Sequence, residues 1–308
     1  MNLPESTIIH EWRPACWLRV TGEDAANFLQ GQFTNELRGV PAGGAVYGLW
    51  LTLKGKVLAD SFVVRTASSG GAAAFWVGSY FSSASVIRER LESYVIADDV
   101  VIEDVTGEWA GLALFGERAD DSAPTITAGG DGSDDGTGVV FAGRRRKQAS
   151  VEWVFPVTQR GKVRAQVAGW REVDAEEMAR RRITAGVPAV PTDIGPGDLP
   201  GEGGLEGAAI SYTKGCYLGQ EVMARLKSMG QVRRRLIRVT GAGGEVPGEL
   251  PAGLFGGERK VGELRSAVRD GAGGWIGLAM LSLLHVEVPT VLALTAGGTP
   301  TVCLLSAP

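Results

Sequence analysis

Apolar residues in this chain come in short runs that glycine and proline keep interrupting. Stretches such as YGLWLTL, KVLADSFVVRT, WAGLALFG and WIGLAML are each bounded by turn-forming residues, and 45 glycines and 14 prolines are spread over 308 positions. No run reaches the ~18 consecutive apolar residues of a membrane-crossing helix. Cores must therefore be assembled from short strands and short helices. At 308 residues the chain exceeds the ~250–300 at which a single core stops growing, so two or three domains are predicted. With 44% hydrophobic and 21% charged residues the composition is that of an ordinary globular protein.

The first helix is predicted after Thr21, whose hydroxyl can cap GEDAANFLQ while Asp24 reaches back. Ala25, Phe28 and Leu29 form its buried stripe, and Gly31 can end it in the left-handed conformation. From Tyr47 the period changes to that of strands, with Lys54-Gly55 and Ser68 to Gly71 as turns, and a helix over SASVIRERLESYVIA buries Ile87, Leu91, Tyr94 and Val95. VVIEDV and WAGLALFG follow as strands. This order predicts an antiparallel α+β subdomain over 47–139, including a mobile, Asp- and Gly-rich loop over 117–139. The run Arg144 to Lys147 reads as a solvated basic face. A second capped helix starts at Asp174, with Glu177 three residues on and Val173 placed to staple against Met178, and stops at Gly186. VPAVPTDIGPGDLPGEGG has the composition of an extended connection that follows another surface. The remainder, 231–308, alternates short apolar runs with Gly-rich turns as a small β-barrel would. Residues 1–46 with 140–230 are left as a discontinuous third domain.

The formal charge of -4 gives no support to a surface built for nucleic acid, so any tRNA contact would be local. Cys16, Cys216 and Cys303 are too few and too scattered for a disulfide framework or a metal knuckle, and His10 and His285 add too little for a zinc site, so no metal is assigned. The start of the chain lacks a basic segment followed by an apolar one, which predicts a cytoplasmic protein with no membrane partner. GEGGLEG, GAGGEV and GAGGWIG each miss the third glycine of the dinucleotide fingerprint, and neither a phosphate-binding G-x-x-x-x-G-K-[ST] nor a G-x-S-x-G is present.

KGCYLGQEVMARL, residues 214–226, is the segment that most invites chemistry. Gly215 and Gly219 let the backbone turn sharply, and Gln220 to Leu226 has helix-forming composition. Cys216 then precedes a helix N-terminus and stands two residues from Lys214; both favour thiolate, while Glu221 opposes it. The competing reading is a buried thiol acting as a small hydrophobe.

Lys214-Gly215-Cys216-Tyr217-Leu218-Gly219-Gln220-Glu221 resembles the K-G-C-Y-x-G-Q-E signature of the YgfZ-type folate-binding proteins, which share the fold of the glycine-cleavage T-protein. Similarities continue through Gly22 to Ala25, Phe28 to Gln32, Thr34-Asn35, Lys54 to Val57, Ala185 to Pro188 and Leu199-Pro200. The resemblance implies an α+β, three-domain ring of aminomethyltransferase-like type around a hole that takes tetrahydrofolate or a one-carbon derivative. It also implies work in the synthesis or repair of iron–sulfur enzymes, including tRNA-modifying ones, with iron–sulfur client or assembly proteins as partners. Cys216 is then the residue the function depends on. Lys214, Tyr217, Gln220, Glu221 and Arg225 would form one wall of the folate site, with Gln32, Thr34, Asn35 and Asp60 across from them. A pterin edge of fixed donors and acceptors suits such amides and carboxylates.

T-proteins carry acidic residues after the first hairpin and a glutamate before the later Ala-Gly; here those places hold Ala59-Asp60 and Thr184. Loss of the second acid argues against the glycine-cleavage step, so a folate-dependent aminomethyltransferase, a one-carbon transferase, is the alternative reading. A third is docking of tRNA or protein through Arg225, Lys227 and Arg233 to Arg235.

Overall fold

The computed structural model describes residues 7–66, 74–116, 138–146, 150–230, 232–241, 243, 245–284 and 291–305. The predicted turn at Ser68 to Gly71, most of the 117–139 loop, Lys147 and His285 lie outside them. The helices are α1 (Ala25–Gln32), α2 (Ala84–Glu92), α3 (Arg160–Gln166), α4 (Ala175–Thr184), α5 (Glu206–Ala209) and α6 (Gln220–Met229).

Among the described residues the strands form three sheets. One sheet places Thr7–Trp12 between Arg171–Glu172 and Trp109–Gly116, and continues through Val151–Pro156 to Val139–Ala142. A second runs Ala45–Leu51, Val57–Arg65, Phe75–Ser79, Cys16–Thr21, Val101–Asp104. The third, within 234–304, has six strands, and reciprocal backbone hydrogen bonds of 2.9 Å between Phe255 and Ala293 join its first strand to the segment beside its last. That bridge nearly closes the sheet into the predicted barrel and shortens the exposed edges an open sheet would leave.

The predicted boundary at 46/47 cuts through the second sheet, because Cys16–Thr21 pairs with Phe75–Ser79 and Val101–Asp104. WAGLALFG, expected in the same subdomain as VVIEDV, lies in a different sheet, where it pairs with Thr7–Trp12 and Val151–Pro156. Local periodicity marks a strand but not its partner, and these pairings join residues from 37 (Leu114 with Val151) to 109 (Thr7 with Gly116) positions apart.

The first two sheets meet through Trp17, Phe62, Trp76, Val139, Phe141 and Val154, with the Trp17 and Trp76 rings stacked 5.8 Å apart. A further core brings together Leu49, Leu51 and Val57 of the second sheet, Ile183 of α4, Ile194 and Leu205 of the connection, Tyr217 and Met223 of the signature segment, and Leu236, Leu278 and Met280 of the barrel. Burial of a leucine- or isoleucine-sized side chain contributes about 1.5–3 kcal/mol, so this cluster holds the long connection in place without regular pairing. Ion pairs fasten the same segment. Asp198 accepts from Arg234 (3.0 Å) and from Arg265, and Arg234 also reaches Glu202 (2.9 Å). Arg234 is therefore part of an internal network rather than a free edge cation.

Three local readings are corrected. Strand Cys16–Thr21 runs through Thr21, and α1 begins at Ala25 with Asp24 as its N-cap residue; the Asp24 carboxylate accepts the Asp99 N–H (2.8 Å) across the 98–100 turn instead of capping its own helix. Gly31 stays inside α1, which leaves through an extended Phe33. The basic run at 144–146 is not a solvated face. Arg145 and Arg146 are buried; Arg145 Nε donates to Glu152 (2.9 Å) and its guanidinium covers the rings of Tyr80 (3.9 Å) and Trp12 (4.5 Å), while Arg146 covers Phe115 (4.9 Å). An opposite charge and aromatic faces replace the lost water, so a run of arginines can face inward. The α4 cap forms as predicted: Asp174 Oδ1 accepts the Glu177 N–H (2.8 Å), Val173 packs with Met178, and Gly186 turns the chain at φ +69°.

Candidate functional site

Two neighbourhoods hold the chemistry, and no residue of 214–221 lines the cavity of the first. The first is a cavity of about 160 Å³ where the two open sheets meet α4. Asp60, projecting from Val57–Arg65, is 5% exposed and lies in its lining with Tyr47, Tyr80, Arg144, Arg182 and His10. Its carboxylate accepts from Ser79 Oγ (2.7 Å) and Ser82 Oγ (2.8 Å) on Oδ1 and from the Tyr47 hydroxyl (3.0 Å) on Oδ2. A carboxylate offers about four acceptor sites, and these three donors use three of them. Burial pushes the Asp60 pKa up against the pull of those hydroxyls and of Arg144. Around it the Arg144 guanidinium lies 4.5 Å from the centre of the Tyr47 ring, and Arg182 is held by Asp193 (2.6 Å). A buried acid with cations and aromatic rings in one lining suits a planar heterocycle that carries an anionic tail.

The second neighbourhood is the signature loop. Gly219, at φ +87°, starts α6, and a Cβ there would stand 2.9 Å from the Thr52 carbonyl. Only glycine fits both conditions. α6 itself packs Val222 and Met223 on Gly55, the predicted Lys54-Gly55 turn. Lys214 and Tyr217 are buried, while Gly215 and Cys216 between them are exposed. Cys216 is therefore not a small core hydrophobe, and it is absent from the lining of the Asp60 cavity.

The other predicted residues divide accordingly. Lys214 and the segment after α1 do come together: Lys214 Nζ donates to the carbonyls of Phe33 (2.6 Å), Gln30 (2.7 Å) and Asn35 (2.9 Å). Its ammonium is committed to the backbone rather than to the thiol. Thr34 is fully buried, accepting the Leu49 N–H (2.8 Å) and donating to the Ala209 carbonyl (2.7 Å), and Asn35 Nδ2 donates to the Tyr47 (2.9 Å) and Ala208 (3.2 Å) carbonyls. Gln32 accepts from Arg90 Nη1 (3.0 Å). These polar groups join segments to one another and do not line the cavity. Gln220 opens α6, and Glu221 and Arg225 form an exposed i,i+4 pair at 2.5 Å. Lys227 and Arg235 border a separate groove of about 620 Å³ between α6 and the barrel. Sequence reasoning missed Tyr47, Tyr80, Arg144, Arg182 and His10 as cavity residues. The Arg144 run was the one visible signal, since His10, Tyr47 and Tyr80 reach the cavity through sheet pairing and Arg182 through the packing of α4.

No helix among the described residues is long and apolar enough to cross a membrane. Residues 5–147 match the family model described as the GCVT N-terminal domain. The mouse iron–sulfur cluster assembly factor IBA57, mitochondrial, is 30% identical over 290 residues, covering 88% of this chain and 76% of that protein. The human protein of the same name is 29% identical over 307 residues, 91% and 79% of the two chains. The tRNA-modifying protein YgfZ of Klebsiella pneumoniae (strain 342) is 26% identical over 241 residues, 74% and 70%. The crystal structure of the glycine cleavage system aminomethyltransferase T from Bartonella henselae superposes with a TM-score of 0.71, covering 98% of this chain and 85% of that one at 16% identity, a likeness of fold. With the K-G-C-Y-x-G-Q-E segment intact and the aminomethyltransferase-like fold in place, the chain belongs to the family of the IBA57 and YgfZ proteins.

Proposed function

We propose that this protein serves iron–sulfur cluster assembly or repair, tRNA-modifying enzymes among its clients, through the Cys216 thiol, and that a reduced folate occupies the cavity beside Asp60. The observation that carries the first part is the exposure of Cys216 between two buried neighbours, Lys214 and Tyr217. A thiol on a fixed, open crest can meet a metal centre or a thiol on another protein; a thiol inside a ligand cavity cannot. The names of the relatives support the same reading.

For the folate, Asp60 would accept from the pterin edge, Tyr47 and Tyr80 would cover its face, and Arg144 would meet an anionic tail. When bound, a reduced folate supplies a one-carbon unit. The residues of this chain orient and enclose it, and Cys216 lies outside that enclosure, so its thiol would act on the partner protein rather than on the folate.

In cells lacking this protein, the wild type and Cys303→Ala should restore iron–sulfur enzyme activity while Cys216→Ala leaves it low. Full restoration by Cys216→Ala would remove the thiol from the function. Tetrahydrofolate should quench the tryptophan fluorescence of the purified protein and raise its melting temperature. Asp60→Asn should weaken that binding by about tenfold, the loss of one hydrogen bond to a charged acceptor. Equal affinity of the variant would place the ligand elsewhere.

A further inference from the structure

The segment 208–218 is fastened to residues 30–35 along its length. Ser211 N–H donates to the Thr34 carbonyl (3.0 Å), Leu218 N–H donates to the Gly31 carbonyl (3.2 Å), and Thr34 Oγ1 donates to Ala209 as described. Between Ser211 and Leu218, Lys214 supplies the side-chain crossing. The last carbonyls of a helix lack donors of their own. An ammonium has three N–H groups, and those of Lys214 meet three carbonyls at the end of α1 and just beyond it. The chain rises at once into exposed Gly215 and Cys216, and descends into buried Tyr217, whose ring centre is 5.2 Å from Lys214 Nζ. A Cβ on Gly215 would have only Arg38 near it, at 3.9 Å. The crest therefore has little packing of its own, and its position depends on its two buried feet.

We propose that Lys214 is the positioning residue for Cys216, its ammonium closing the carboxyl end of α1 and thereby fixing where the loop presents the thiol. This rests on the reading of Cys216 as the working thiol, but the clamp can be measured without it. Burial draws the Lys214 pKa down to about 8, with Glu36 pushing it up and Arg38 adding to the fall. The phenol of Tyr217 is pushed up to about 12 and stays neutral across the range that matters. Loss of the Lys214 proton removes the charge from all three contacts, so the loop should loosen as pH rises through that value.

The test is hydrogen exchange by mass spectrometry on the full chain, in peptides covering 209–219, between about pH 6.5 and 9.5 and corrected for the intrinsic rise with pH. In the wild type exchange should climb by about tenfold across the Lys214 transition, the worth of a hydrogen bond to a charged group. Lys214→Arg, charged throughout, should show no step. Lys214→Met should exchange fast at every pH, again without a step, while barrel peptides stay as in the wild type. Absence of the wild-type step, or a Lys214→Met profile that matches the wild type, would overturn the proposal. The reading of the thiol fails separately: if exchange behaves as described but Cys216→Ala complements fully, the clamp stands and the role of the thiol falls.

Discussion

At the scale of single residues, environment separates groups of the same chemistry. Cys16 is fully buried, its thiol against the Val77 carbonyl (3.5 Å), and burial pushes its pKa up; Cys303 is partly covered and Cys216 exposed. Alkylation followed by peptide mass spectrometry should therefore label Cys216 first and Cys303 more slowly, and should reach Cys16 only on unfolding; early labelling of Cys16 would contradict the core. Asp60 gives a second test. Its pKa is raised in the folded state, so above the unfolded value near 3.8 the native protein holds a proton that the unfolded chain releases, and stability from this group falls as pH rises through that window. Asp60→Asn should remove that component, read as a smaller loss of stability in denaturant titrations from acid toward neutral pH. A difference curve of the opposite sign would mean that the hydroxyl donors outweigh burial.

At the scale of elements, the signature is a turn, a helix start and a clamp rather than a row of ligands. Gly219→Ala forces a left-handed alanine whose Cβ meets the Thr52 carbonyl, which costs about 1–3 kcal/mol, and the melting temperature should drop accordingly. Charge pairs divide by burial in the same way. The Arg225–Glu221 pair is exposed, and Arg225→Ala should cost less than about 0.5 kcal/mol. The Arg145–Glu152 pair is enclosed, and Arg145→Met, which strands a buried carboxylate, should cost about 3–5 kcal/mol. Similar losses for the two in chemical denaturation would show that the inward arginine is not held as described. The signature was legible because a glycine before a helix former is short-range physics. The destination of Lys214 was not, since a lysine two residues from a cysteine gives no hint that its ammonium turns toward a helix end more than 170 positions earlier.

At the scale of the molecule, the core shared by Leu51, Ile194, Tyr217 and Leu278 joins the second sheet, the Pro- and Gly-rich connection, the signature segment and the barrel, so the loop that carries Cys216 stands at a junction. By itself the sequence determined the local elements, namely α4 with its Asp174 cap, α6 after Gly219, the short strands and the closing barrel, together with membership of the family through residues 214–221. The helices and strands depend on caps, turns and periodicity within a dozen residues, and the barrel was legible only as their regular alternation with Gly-rich turns. The tertiary structure alone decided that Cys16–Thr21 and Trp109–Gly116 join different sheets, that Arg145 and Arg146 face inward, and that Asp60 lies in a cavity from which Cys216 is absent. The reason is that strand pairing and the burial of a charge are settled by partners far along the chain. A local pattern states what a segment can form, and only the completed packing states what it will touch.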